Sequence, residues 1–163
     1  MMKKLVIGLG NPILTDDGVG VKVAYKVKDS LAAHHGRDLT ITEVGVGGLR
    51  LMEMMIGYDR VILIDALIQR NGGPPGTIHR MTLDDLRTIS PTQHSASAHD
   101  TTLVTALEMG RRIGLALPGE IIIYAIEVEN VLDFGEQPTL AVAEAIPRVA
   151  AAVLDELSEM TER

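Results

Sequence analysis

The chain is expected to fold as an α/β protein: a three-layer sandwich with a mainly parallel five-stranded sheet between helices. Two observations lead there. Three short runs, residues 4–8 (KLVIG), 60–67 (RVILIDAL) and 120–127 (EIIIYAIE), are strongly apolar, rich in β-branched side chains and free of polar alternation. Such runs suit strands buried on both faces of a parallel sheet. Between them lie segments whose apolar residues recur with helical spacing, so that strands and helices alternate along the chain.

Each element can be justified in turn. After the first strand, residues 19–34 carry Val19, Val23, Val27 and Leu31 on one helical face. Residues 39–44 (LTITEV) alternate and suit an edge strand; residues 48–56 (GLRLMEMMI) form a shorter helix. Residues 76–81 (GTIHRM) follow the turn-rich NGGPPG and give a further strand. That strand is expected to be antiparallel, because its connection from residues 60–67 is too short for a crossover helix. Residues 82–100 have no clear assignment, and long loops in compact domains are commonly functional. Residues 101–113 read as a helix, and residues 139–160 as a long final helix that Pro147 should kink or restart. No repeat or linker divides the chain, so residues 1–163 are expected to form one domain; 46% hydrophobic residues are ample for its core.

Composition narrows the function. The formal charge is −7, and Lys and Arg are scattered, which gives no electrostatic footprint for nucleic acid or an anionic membrane. Aromatics are only 2% of residues, arguing against a stacking platform for bases or sugars. With no cysteine, a metal would have to be held by carboxylate and imidazole. The basic start MMKKLVIGLG is too short in its apolar run, and too broken by glycine, for a signal peptide, and nothing later approaches a membrane span. A cytoplasmic protein is expected, acting as a monomer.

The stretch GLGNPILTDDGVG, residues 8–20, looks like a nucleotide loop but departs from one. Ile13 stands where the third glycine of a dinucleotide fingerprint belongs, and Asp16 and Asp17 stand where a phosphate-binding helix would offer bare amides. One acid suits a helix N-cap, leaving the other to point into the crevice at the strand ends. If residues 4–8 and 60–67 are neighbouring strands, Asp65 reaches the same edge, either as a plain strand-end turn residue or as a partner of Asp17 in a metal site. His34 and His35 close a polar helix end and read as solvated, and His79 reads as structural. His94 and His99 lie in SPTQHSASAHDTTL, with His99 at the start of the following helix. Two carboxylates and one imidazole with open positions would suit a borderline divalent ion such as nickel or zinc.

GLGNPILTDDGVG, then VGVGGLRLMEMM, VILIDAL and SAHDTTL, in that order and at these intervals, resemble the nickel-iron hydrogenase maturation endopeptidases. The likeness runs through EIIIYAIEVE to the closing helix. It implies a twisted five-stranded sheet between helices, of the phosphorylase/hydrolase-like kind, and removal of a C-terminal extension from the hydrogenase large-subunit precursor once nickel has been inserted. The family's metal-contacting positions fall here on Asp17, Asp65 and His99, which are therefore the candidate catalytic and metal-contacting residues. Asp16 and His94 adjoin two of them as alternative donors. The resemblance implies that nickel is supplied by the precursor, as a recognition tag, rather than bound permanently. The loop Gly45-Val46-Gly47-Gly48 is expected to line the same crevice, unless it is a plain strand-to-helix turn.

A competing reading is a receiver-like phosphoacceptor domain with a carboxylate magnesium site. Against it, residues 9–15 separate the acid pair from the first strand, and no Lys follows the last strand in EIIIYAIEVENV. A nucleotide-binding module is disfavoured by acids facing where phosphates would lie.

Overall fold

The computed structural model describes residues 1–31, 36–45, 47–68, 73–89 and 98–162, without the side chains of residues 88–89 and 98–102. Strand β1 (Lys4–Leu9) leads through a short 3-10 turn (Thr15–Gly18) into helix α1 (Val19–Leu31). There follow β2 (Leu39–Val44), α2 (Gly48–Met55), β3 (Arg60–Leu67), β4 (Ile78–Thr82), α3 (Leu83–Ile89), α4 (Ala98–Arg112), β5 (Glu120–Glu127) and α5 (Leu140–Glu162). The sheet has the order β2-β1-β3-β5-β4, parallel except for β4, which runs antiparallel to β5.

Burial follows the sequence pattern. In β1, β3 and β5 every residue after the first is buried, while β2 at the edge is at most half-buried. Alternate side chains of a strand point to opposite faces, and the core is accordingly split in two. Val6, Ile62, Ile64, Ile122 and Tyr124 pack with Val19, Val23 and Val27 of α1 and with Val142, Val149 and Val153 of α5. On the other face Ile7, Leu63, Ile121 and Ile123 pack with Leu51 and Met55 of α2 and Leu103 and Leu107 of α4. The expected three-layer sandwich is therefore the observed one.

Two expectations change. Among its described residues the unassigned stretch 82–100 is helical apart from Thr82: α3 starts directly after β4, and α4 begins at Ala98, three residues before the expected start. The signal for α3 is a reciprocal cap. Thr82 N–H donates to Asp85 Oδ2 at 2.7 Å and Asp85 N–H to the Thr82 hydroxyl at 3.4 Å, a capping-box arrangement. The bond from the Thr82 amide holds the Asp85 carboxyl below the usual carboxylate range. Second, α5 passes through Pro147 as one helix, with no restart. Ala145, Val149 and Ala150 on either side of the proline are buried in the core, and this packing outweighs the single intrahelical bond that proline forfeits.

A buried polar cluster joins the edge strand to the last helix. Arg80 grips Glu156 through two bonds, Nε to Oε2 at 2.7 Å and Nη2 to Oε1 at 2.9 Å, and the Tyr124 hydroxyl donates to Oε2 at 2.9 Å. Burial, followed by the bond to Glu156, pushes the Tyr124 hydroxyl up to about 12.

Candidate active site

The site lies where the sheet reverses its winding. From β1 the chain moves outward to β2 and then returns past β1 to β3, so β1 and β3 are the neighbours between which an open parallel sheet leaves a crevice at its carboxyl end. Pairing of β1 with β3 ends at Gly8 opposite Ile64. Asp65 is the next residue of β3, still paired with Ala125 of β5 on its other side. It is buried, and it lies between Leu63 and Leu67, both members of the α2/α4 core, so it faces that layer. Ala66 N–H donates to its Oδ1 at 2.8 Å. Asp65 is thus a residue of the strand itself rather than of a turn beyond it.

Asp17 comes to the same place by a different route. The loop after β1 folds back under Asn11, whose carbonyl accepts from Leu14 N–H at 3.1 Å and whose side-chain oxygen accepts from Ile13 N–H at 3.2 Å. Asn11 N–H in turn donates to Asp17 Oδ2 at 2.8 Å, which fixes the carboxylate, and among the described residues Oδ1 has no partner. Asp17 and Asp65 line one small cleft of about 40 Å³ together with Leu9, Gly10, Asn11, Val44 and Gly45. Gly45 therefore lines the crevice, as expected of its loop; Val46 lies outside the described residues.

The glycines of the first loop have steric reasons. A Cβ on Gly20 would sit 2.2 Å from the Ile64 carbonyl oxygen and 2.6 Å from that of Leu9. A Cβ on Gly10, whose φ is +130°, would meet the Asp17 carbonyl oxygen at 1.9 Å. The first lets helix α1 begin against the ends of β1 and β3; the second lets the loop close over Asp17.

Asp16 does not share the cleft. It is fully buried and turned toward the segment between β5 and α5, so it does not substitute for Asp17. Glu129 and Asn130 N–H donate to its Oδ2 at 3.2 and 3.0 Å, Thr139 N–H donates to Oδ1 at 2.7 Å, and the Thr139 hydroxyl donates to Oδ2 at 2.9 Å. Its own N–H donates to the Asn130 carbonyl at 2.9 Å. One acid of the pair serves the cleft, and the other fastens a remote loop to the same turn. Thr15, just before the pair, takes a φ of +50°, uncommon for a β-branched residue, and is fixed by a bond from its N–H to the Gly135 carbonyl and from its hydroxyl to the Asp133 carbonyl.

His99 is the second residue of α4, at the start of that helix as the sequence suggests; its side chain lies outside the described atoms. Helix α4 packs on the face of the sheet that Asp65 faces. His34, His35 and His94 lie outside the described residues. His79, on edge strand β4, bonds Glu127 at 3.0 Å, a contact within the sheet. Among the described residues no set of three or more His, Asp or Glu side chains gathers as a metal site. The donor chemistry of the cleft nevertheless fits a divalent ion: two carboxylates with no Lys or Arg among the lining residues. Sequence reasoning missed Asn11 as the residue that fixes Asp17. The Asn-Pro pair in GNP, a turn signature, is the signal that could have found it.

A mainly parallel five-stranded sheet between two layers of helices is a fold found among α/β hydrolases of peptide bonds. The profile of the family described as HycI, hydrogenase maturation protease, matches residues 4–156. The chain belongs to this family, and is thereby a protease, a hydrolase of peptide bonds. Among curated relatives it is similar to the hydrogenase 2 maturation protease of Escherichia coli K12, 28% identical over 113 residues, covering 69% of this chain and 66% of that protein. It is also similar to the hydrogenase expression/formation protein HoxM of Azotobacter vinelandii, 26% identical and covering 93% and 72%. Among solved structures, the hydrogenase maturating endopeptidase HybD from E. coli superposes with a TM-score of 0.80 at 25% identity, covering 98% of this chain and 94% of that one. The hydrogenase maturation protease HybD from Thermococcus kodakarensis shares the fold, with a TM-score of 0.71 at 23% identity and coverage of 96% and 99%.

Proposed function

We propose that the chain removes the C-terminal extension of a nickel-iron hydrogenase large-subunit precursor after nickel insertion, reading the nickel carried by that precursor through Asp17, Asp65 and His99. The observation that carries the reading is the convergence of Asp17 and Asp65, from separate elements, on one cleft at the sheet's switch point. A nickel ion held by the precursor is part of the substrate, and the two carboxylates offer it anionic oxygens that an unloaded precursor could not engage. The metal supplies Lewis acidity, by which a carbonyl is polarised or a water activated. Asn11 and Ala66 amides orient the two carboxylates, and a carboxylate so oriented can accept the proton of an attacking water. Gly10 and Gly45, without side chains, leave room for the backbone of the incoming peptide. Such an enzyme works as a soluble cytoplasmic protein; among the described residues no helix is long and apolar enough to cross a membrane.

The test is an intact-mass assay with a cognate precursor, nickel-loaded and nickel-free. Loss of a C-terminal peptide from the loaded form alone is the expected result. Cleavage of both forms removes nickel from recognition, and cleavage of neither removes the reading. Elemental analysis of the purified protein is expected to find little tightly bound metal; stoichiometric zinc retained through dialysis would point to a conventional metallohydrolase.

A further inference from the structure

Among the described residues, and leaving Met1 aside, the most exposed large apolar side chains do not scatter. Leu132 is 85% exposed, Phe134 83% and Leu140 75%, all within nine residues, and Ile13 is 48% exposed on the loop they border. Phe134 is the only phenylalanine of the protein. These residues stand on two loops locked together. Leu14 forms a β-bridge with Gly135, Gly135 N–H donates to the Ile13 carbonyl at 2.9 Å, and Thr15 N–H donates back to Gly135 at 2.9 Å. Beneath the bridge Asp16 binds Asn130 and Thr139, and the Asn130 side-chain oxygen accepts from Leu132 N–H at 3.3 Å and Asp133 N–H at 3.2 Å. An apolar surface kept rigid at this density of bonds, and not used by the core, marks an interaction site.

Its position and charge define what it fits. Ile13 is two residues from Asn11, which lines the cleft and fixes Asp17, and Ile13 N–H donates to the Asn11 side chain at 3.2 Å, so the surface shares with the cleft the loop that carries Ile13. Residues 5–21 and 113–147 contain no Lys, Arg or His, while Glu129, Asp133, Glu136 and Glu144 are exposed around the apolar side chains.

We infer that Ile13, Leu132, Phe134 and Leu140 form the docking surface for a segment of the precursor polypeptide that carries apolar side chains together with Lys or Arg and lies close to the scissile bond. This rests on the processing function proposed above. Apolar side chains of that segment pack on Phe134 and Leu132, and its cations meet the acidic rim, which also draws it in from a distance. The surface acts on affinity; the acids of the cleft act on the bond.

The experiment measures binding and cleavage separately. Binding of the intact nickel-loaded precursor to immobilised protein is compared for the wild type, Leu132→Ser/Phe134→Ser and Glu129→Lys/Glu136→Lys; single-turnover cleavage is followed in parallel. All four positions are exposed, and circular dichroism checks that the variants fold. Loss of a central aromatic anchor is expected to weaken binding roughly tenfold or more. KM rises correspondingly, while the rate at saturating precursor changes little. The charge-reversal pair is expected to weaken binding most at low salt. Equal affinity of wild type and Leu132→Ser/Phe134→Ser overturns the docking surface and leaves the processing function standing. A wild type that binds through the surface but never cleaves overturns the processing function alone. A concentration-dependent dimer abolished by Phe134→Ser, with precursor affinity unchanged, assigns the surface to a second copy of the chain instead.

Discussion

Asp16 and Thr139, 123 positions apart, are joined through both oxygens of a fully buried carboxylate, with the Thr139 amide at 2.7 Å and its hydroxyl at 2.9 Å. Thr139 directly precedes α5, so this contact sets where the last helix begins relative to the loop that presents Asp17. Adjacent acids therefore separate into one that ties two segments together and one that lines the cleft, and substitution should distinguish them.

Asp16→Ala leaves the Glu129, Asn130 and Thr139 amides without their shared acceptor. Bonds to a charged acceptor contribute about 1.5–3 kcal/mol each, and their losses here overlap because they share one group. The expected destabilisation is about 3 kcal/mol or more, read as a lowered urea midpoint with an unchanged slope.

Asp17→Asn keeps the shape of the side chain and the bond from Asn11 while removing the charge. Stability should stay within about 1 kcal/mol of wild type. Processing of a loaded precursor should fall by roughly 100-fold or more, on the order of a lost general base or a lost metal contact. Unchanged cleavage would exclude Asp17 from the site.

Asp65→Asn tests the second acid under a stricter condition, because the residue is buried within β3 and an amide must take over the contact from Ala66 N–H. Cleavage is expected to be lost to a similar extent. The folded state should persist with a native near-ultraviolet spectrum, which separates a lost ligand from a lost fold.

Gly20→Ala places a methyl group against two backbone carbonyls that belong to β1 and β3 and cannot move aside as a side chain would. A cost of about 3 kcal/mol or more is expected, since overpacking against backbone forces the helix off the sheet. Thermal unfolding measures it, and reduced processing should accompany it even at temperatures where the variant is folded.

Tyr124 supplies a pH signature. Its hydroxyl is pushed from 10.0 to about 12 by burial and by Glu156, so between these values an unfolded chain loses this proton while the folded chain keeps it. The folded state then binds more protons than the unfolded one, and stability falls as pH rises from about 10 to about 12. Tyr124→Phe should flatten this part of the stability profile, as followed by denaturant titration at fixed pH steps.

The sheet was legible because β1, β3 and β5 are apolar throughout except at their ends and at Asp65, while the edge strand β2 alternates, a difference that burial on one or two faces imposes directly on composition. Helix α3 was harder: LDDLRTI is short and polar, and its one clear signal is the Thr82–Asp85 cap. At the site, Asp17 and Asp65 could be singled out because a carboxylate pair is out of place in a phosphate loop and an acid is out of place in an apolar strand. That one acid would support the turn while the other faced the crevice was expected, but the tie that holds Asp16 was not legible. It depends on which side of a 3-10 turn each residue faces and on amide donors more than a hundred residues away, and neither leaves a local pattern. The same holds for Phe134, whose exposure follows from the bridge between Leu14 and Gly135.

The tie between Asp16 and the region of Asn130 to Thr139 also has a consequence in time. A chain emerging from the ribosome presents the GLGNPILTDDGVG sequence early, but the amides that position its turn belong to residues made much later. Until those arrive, Asp16 lacks these donors, and only the local bonds around Asn11 hold the turn that carries Asp17. The turn that carries the acid pair thus gains its full set of bonds only once residues 129–139 have been made.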